Sequence, residues 1–318
     1  MNQNSSRITE LTPGLLRETD TENILKDWSS NFEVCFPISA AELKKRIFDR
    51  PDRCPEASLC VRDAEGKVQG CIVTKISDQQ ELYPDTAWIT LLYVNPAYRK
   101  MGYGRLLYQQ AQEVMSKKNV HTILIGQDFY NLFSGIPSPG SENIDFFFRE
   151  GFILNDCEHY DLEADITDNR KISAFDPGSF EQEFRTETLA AEDDMKMLEF
   201  LRNEETLPDR WAFEMQEYLD QKKDRNCLMV MKRRTDGSIC GFCMLQVNEE
   251  GRGGLGPIGI AKAVRGRHVG DYLLYQSLCQ LKKIGGQRIC IDWTILKDFY
   301  GQFGFRPVRI FRGGYKEI

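Results

Sequence analysis

The chain has 318 residues, 41% hydrophobic and 28% charged, with a formal net charge of −7, a composition ordinary for globular domains and a length that suits two of them. That acidic balance excludes a general binder of nucleic acid or of anionic membranes, and no apolar run reaches the ~18–20 residues that cross a bilayer. The opening MNQNSSRITELTPG lacks the apolar stretch of a secretion signal, so the ten cysteines are expected as reduced thiols in a cytoplasmic protein.

In chain order, ASLCVRDAEGKVQGCIVTKI reads as a hairpin turning at Asp63–Gly66, and AWITLLYV as a buried strand. From about Gly102, Leu107, Ala111 and Val114 recur at helical spacing, and Lys117 and Lys118 suit the end of that helix. HTILIGQ reads as a strand, and IDFFFREGF as a short helix closed by Gly151. Between them DFYNLFSGIPSPGS is a long loop whose Phe129, Tyr130, Leu132 and Phe133 are too apolar for free surface, with Gly135, Pro137 and Pro139 on its return. It is expected either to close over the acceptor side of the first half or to pack between the halves.

The second half repeats this order. CLMVMKRRTDGSICGFCMLQV is a second hairpin, GPIGIA a strand, a helix carries Leu274, Leu278 and Leu281, and RICIDW and DFYGQFGF follow. The offset between halves is 166 at Arg99 and Arg265 and 153 at Gly151-Phe152 and Gly304-Phe305, so the long loop accounts for the difference. The expected organisation is a domain over 1–166, a linker over 167–180 and a domain over 181–318.

YVNPAYRKMGYGRLL places Arg99, Lys100, Met101, Gly102, Tyr103, Gly104 and Arg105 at a fresh helix start. Such a start offers unpaired amides and partial positive charge. Glycines at 102 and 104 leave room for a phosphate beside the backbone. A dinucleotide fingerprint would need glycine where Leu107 stands, and no G-K-[ST] phosphate loop occurs. GRGGLG at 251–256 fits G-x-G-x-x-G but precedes Pro257 and a strand rather than a helix, so it reads as a loop. The C-x-x-C of Cys240 and Cys243 lies in a strand whose alternation sends the sulfurs to opposite faces, and no metal site is expected.

With Arg99, Gly102 and Gly104 following Val94 and Pro96, and FFFREGF downstream, the first half resembles the GNAT superfamily of acetyl-CoA-dependent N-acetyltransferases. The second half resembles it more loosely, with Arg265, Gly266, Arg267, His268, Val269 and Gly270 in the equivalent loop and His268 where the first glycine belongs. The whole chain resembles the tandem GNAT proteins, a group that includes mycothiol synthase. The resemblance implies an α/β (α+β) fold of two fused domains, each a mixed, mostly antiparallel twisted sheet flanked by helices. It also implies acetyl-CoA as cofactor, its diphosphate on the loop amides and its pantetheine along Leu92, Tyr93 and Val94.

In that family a tyrosine on the last helix often protonates the departing thiolate, which implies Tyr300 as general acid. The matching residue of the first half is Phe147, which has no proton to give. The general base stays open among Glu249, Glu250 and Asp292 in the second half, Glu81, Asp85 and Asp128 in the first, and a water chain. His121 and His159 show no partner pattern. The expected activity is transfer of an acetyl group to a primary amine on a small molecule or peptide; the alternative is a non-catalytic acyl-CoA-binding or regulatory protein.

Overall fold

The computed structural model describes residues 10–32, 38–138 and 141–318. Its strands are β1 (Thr12–Leu15), β2 (Leu59–Arg62), β3 (Val68–Ile76), β4 (Thr86–Val94), β5 (Thr122–Ile125), β6 (Ile136–Ser138), β7 (Ile153–Asp165), β8 (Phe184–Thr188), β9 (Leu228–Arg233), β10 (Ile239–Val247), β11 (Arg252–Ile260), β12 (Arg288–Thr294) and β13 (Arg306–Glu317). Two compact units result: residues up to His159 together with Arg309–Ile318, and Tyr160–Val308. Residues 167–180 lie inside the second unit and form two short helices, Arg170–Ser173 and Gly178–Glu181.

In the first unit β1 to β4 pair antiparallel in order. β4 then runs parallel to β5 from Thr86↔Thr122 to Ile89↔Ile125. The far edge of β5 is taken by the chain's own C-terminus, with Tyr315↔Leu124 and Glu317↔Thr122 antiparallel. In the second unit β8 to β11 pair antiparallel. β11 runs parallel to β12 from Arg252↔Arg288 to Gly254↔Cys290, and residues 160–165 of β7 close the edge.

Each sheet carries apolar groups on both faces because helices cover both. On one face of the first unit, the Tyr103–Lys117 helix buries Leu107, Tyr108, Ala111 and Met115 against Ile72, Ile89 and Ile123, each large side chain contributing ~1.5–3 kcal/mol. On the other, Ile24 and Trp28 of the Thr21–Phe32 helix meet Cys71, Val73, Leu91 and Tyr93. The second unit repeats this, with Leu274, Leu278 and Leu281 of the Val269–Lys283 helix on one face and the Asp194–Asn203 and Arg210–Asp220 helices on the other.

Two expectations change. GRGGLG is not a loop: from Arg252 it forms the first part of β11, because its backbone pairs on both edges with β10 and β12. The segment after β5 is core rather than lid. Phe129 and Ile136 are buried, Phe133 stacks on Trp28 at 5.8 Å, and β6 pairs with β13. Pro139 lies outside the described residues.

Candidate functional site

The sheet pairing creates the site. β4 loses its β5 partner after Ile89; Thr90 is the extra residue of a bulge, and Leu91 to Val94, including the predicted Leu92, Tyr93 and Val94, keep β3 on one side and an open edge on the other. The same parting follows Gly254 in β11. Next to each open edge, a short turn (Pro96–Tyr98 or Lys262–Val264) leads into a 15-residue helix.

The two turns have matching backbones. Arg99 has φ −67 and ψ 159, and Arg265 −69 and 164. Lys100 and Gly266 both lie in the left-handed region, at φ 62 and 75. So do the helix N-caps, Gly102 at φ 89 and His268 at φ 60. The arginines turn back alike: Arg99 Nε donates to Val94 O at 3.0 Å and Arg265 Nε to Ile260 O at 3.3 Å. A Cβ on Gly104 would lie 3.6 Å from the Phe146 ring, and one on Gly270 3.6 Å from the Phe299 ring. That match also makes Tyr300 the structural counterpart of Phe147. His268 therefore preserves the cradle's shape.

The first intrahelical bond of the first cradle is Leu106 N to Gly102 O at 2.9 Å, which leaves the amides of Tyr103, Gly104 and Arg105 ahead of it. A Cβ at Gly102 or Gly266 would meet nothing within 4 Å. Outward amides, open space and an unpaired strand edge fit the diphosphate and pantetheine of coenzyme A.

The side chains around the cradles differ. Arg105 is exposed and donates to Glu150 at 2.6 Å, while Tyr103 Oη accepts from Leu11 N at 3.1 Å. In the second cradle Arg265 also donates to Thr206 Oγ1 at 2.7 Å, and Arg267 pairs with Glu183. His268 Nδ1 lies 2.8 Å from Asp271 Oδ2, its side chain 80% exposed. Val269 is buried, and Met101 and Lys100 are exposed.

Tyr300 is buried, its ring against Phe299 at 4.9 Å, with Thr294 near its hydroxyl. Thr294 lies on β12 past Cys290, the last residue paired with β11, so the phenol stands where the strands have parted. Burial raises its pKa well above the ordinary value, with Cys243 adding to the rise and Thr294 opposing it. Phe147 is packed between Phe146 and Phe152, at 5.2 and 5.3 Å.

The parting of the strands also sorts the carboxylates. Glu81 and Asp85 precede Thr86, and Glu249 and Glu250 precede Arg252, so all four sit at the paired ends of their strands, away from the open edges. Asp292 follows Cys290, past the end of the β11–β12 pairing, and is exposed. Asp128 follows β5 but is fully buried with Lys75. His121 is held at the paired end, its amide donating to Asp85 O at 2.8 Å. Among the described residues no cluster of His, Cys, Asp or Glu could hold a metal ion.

Sequence reasoning missed a group in the second unit. Trp293 adopts φ 48, a strained value for so bulky a residue, at a register break of β12 against β7. Its amide donates to Asp161 Oδ1 at 3.2 Å, and the Arg210 guanidinium lies 4.7 Å above its ring while pairing with Glu214 at 2.7 Å. Only the bulge brings these residues together, and bulges leave no periodic signal.

Comparison with known proteins agrees with this geometry. The family described as "Acetyltransferase (GNAT) family" matches twice, over residues 21–134 and 193–305. No curated protein sequence matches the chain. Among solved structures, the chain is similar to the GCN5-related glucosamine N-acetyltransferase region of a fungal multi-domain GH3 β-N-acetylglucosaminidase (TM-score 0.84, 20% identity), covering 97% of this chain but only 38% of that one. It is similar to a GCN5-related N-acetyltransferase from Sphaerobacter thermophilus (TM-score 0.73, 14% identity, 96% and 95% of the two chains). It is also similar to a tandem GNAT protein from the clavulanic acid biosynthesis pathway (TM-score 0.69, 15% identity, 97% and 98%). At such identities the structures carry the fold alone, that of tandem acyltransferase domains, and the two family matches carry the membership: this chain belongs to the GNAT acetyltransferase family.

Proposed function

We propose that the protein is an acetyl-CoA-dependent N-acetyltransferase acting on a primary amine, with transfer in the second half and cofactor binding in both. Tyr300 is the observation that carries this reading: a buried phenol near Thr294 at the parting of β11 and β12, against Phe147 in the first half. When bound, acetyl-CoA supplies a thioester carbonyl at the open edge. The amides of Val269 and Gly270 then hold its diphosphate, and Leu255 to Ile260 offer backbone groups along its arm. Tyr300 stays protonated and donates toward the departing sulfur. Because burial makes the phenol a weaker acid, its gain falls at the low end of the ~10²–10⁴ range for general acids. Of the open candidates, Asp292, exposed past the end of the β11–β12 pairing, is the one we assign to take the proton from the amine, directly or through water.

Free thiols at every described cysteine support a reducing, cytoplasmic setting. A small molecule or peptide amine is the expected partner, and an amino sugar, the acceptor named for the fungal region, is the first to try. The test follows thiol release across an acceptor library: the reading requires release that depends on an added amine, and cofactor binding without such release would leave a binding protein instead.

A further inference from the structure

The first half contains a buried amine that none of the chemistry above uses. Lys75 and Asp128 form an ion pair with both side chains at 0% exposure. Lys75 Nζ also donates to Phe129 O at 2.9 Å. The second oxygen of Asp128 accepts from Thr90 Oγ1 at 3.0 Å, and Thr90 is the first residue of β4 past its last β5 partner, Ile89. Lys75 alternates with Cys71 and Val73, so it projects from the face covered by Trp28 and its helix, opposite the face on which the cradle's helix packs. The ammonium thus stands across the sheet from the cradle, at the point where the strands part. Burying such a pair stabilises little and often costs stability, so packing alone is a poor reason for it.

The second half lacks the whole arrangement at equivalent places. Its sheet registers identically, with Gln246↔Gly254 matching Lys75↔Trp88. There the lysine is replaced by exposed Gln246, the tryptophan by Gly254, Thr90 by Gly256, and Asp128 by Thr294. A Cβ at Gly256 would meet nothing within 4 Å.

We propose that Lys75 is an internal surrogate for an acceptor amine: it fills the first half's acceptor position, held there by Asp128, and excludes external amines. As the ammonium of an ion pair it has no lone pair with which to attack a thioester, so it blocks rather than reacts. The first half then binds acetyl-CoA without turning it over. This rests on the reading that the first cradle binds acetyl-CoA.

Lys75→Ala/Asp128→Asn opens the position and removes the carboxylate that would hold an entering amine as its ammonium, and n-propylamine restores the missing atoms from Cγ to Nζ. With acetyl-CoA near pH ~9, where part of the amine is free base, the amine nitrogen bonds to the acetyl carbon and the C–S bond breaks. The proton lost from nitrogen goes to solvent, and coenzyme A leaves as its thiol or thiolate. We expect N-propylacetamide at least tenfold above wild type, with the gain lost on adding Gly104→Val. Lys75→Ala alone, which keeps Asp128 to hold propylammonium, should form less acetamide than the double variant. Calorimetry on the same proteins counts bound acetyl-CoA. A cradle that binds acetyl-CoA while propylamine raises the melting temperature and forms no acetamide overturns the surrogate and leaves a structural ion pair. A first cradle that binds no acetyl-CoA overturns the underlying reading, and the surrogate with it.

Discussion

The two halves hold nearly the same backbone loop around different side chains. Gly102 and His268 occupy the same left-handed N-cap, which costs a non-glycine residue ~1–2 kcal/mol, a strain the surrounding helix and strand absorb. What separates the halves lies at the open edge: Tyr300 and Thr294 in one, Phe147 and the Lys75–Asp128 pair in the other. The two loops keep one backbone path with glycine or histidine at its left-handed N-cap, whereas the side chains at the open edge differ outright. The proposed binding role therefore rests on backbone that both halves share, and the proposed reactivity on a few side chains that they do not.

The largest expected effect tests how far the units differ in self-sufficiency. Deleting residues 309–318 strips β5 of its outer partner and removes Phe311, buried to 1% in the first unit's core. Phe311→Ala alone should cost ~3–5 kcal/mol. Hydrogen exchange should show protection lost across β4 and β5 while β9 to β11 keep theirs. Protection that survives at β5 would mean that the C-terminal strand is dispensable.

Next comes Tyr300, the proposed proton donor. Tyr300→Phe should lower turnover ~10²-fold and leave the melting temperature nearly unchanged, because the ring keeps its packing against Phe299. Phe147→Tyr should leave turnover unchanged. Steady-state rates with thermal melts decide it: near wild-type turnover in Tyr300→Phe would demote the phenol to packing.

A matched glycine pair sharpens the comparison further. Gly104 and Gly270 face rings at the same 3.6 Å, so valine at either should cost the fold alike and differ only in function. Gly270→Val should cut turnover ~10-fold or more by crowding the diphosphate, and Gly104→Val should lower cofactor stoichiometry while turnover persists. The opposite outcome would name the first half as the active one.

Much of this was legible in the sequence where the signal is local. The cradle shows in Arg99, Gly102 and Gly104 because a helix start and its glycines are neighbours in the chain, and the equivalence of Tyr300 and Phe147 follows from the Gly-Phe pairs beside them. The strand in GRGGLG was hidden because glycines carry no alternating side chains to mark it. The pairing of β13 with β5 was hidden because a strand's periodicity names its buried face and never its partner. Lys75 stood unnoticed in VQGCIVTKI for the same reason: the charge that satisfies it, Asp128, comes from a distant loop.

The smallest expected effect is a pH dependence confined to the first unit. His159 is buried, with Gln127 Nε2 3.5 Å from its Nδ1, and burial lowers its pKa below the ordinary value. The unfolded chain therefore binds the proton more readily, so stability from burying the neutral ring is complete above ~6.5 and is lost as pH falls through the lower folded value. Between pH 7 and 5 the melting temperature of the first unit should fall, and in His159→Gln the fall should flatten, because glutamine keeps a polar group beside Gln127 without gaining charge. Parallel pH profiles for wild type and variant would place the acid sensitivity elsewhere and end this distinction between the halves.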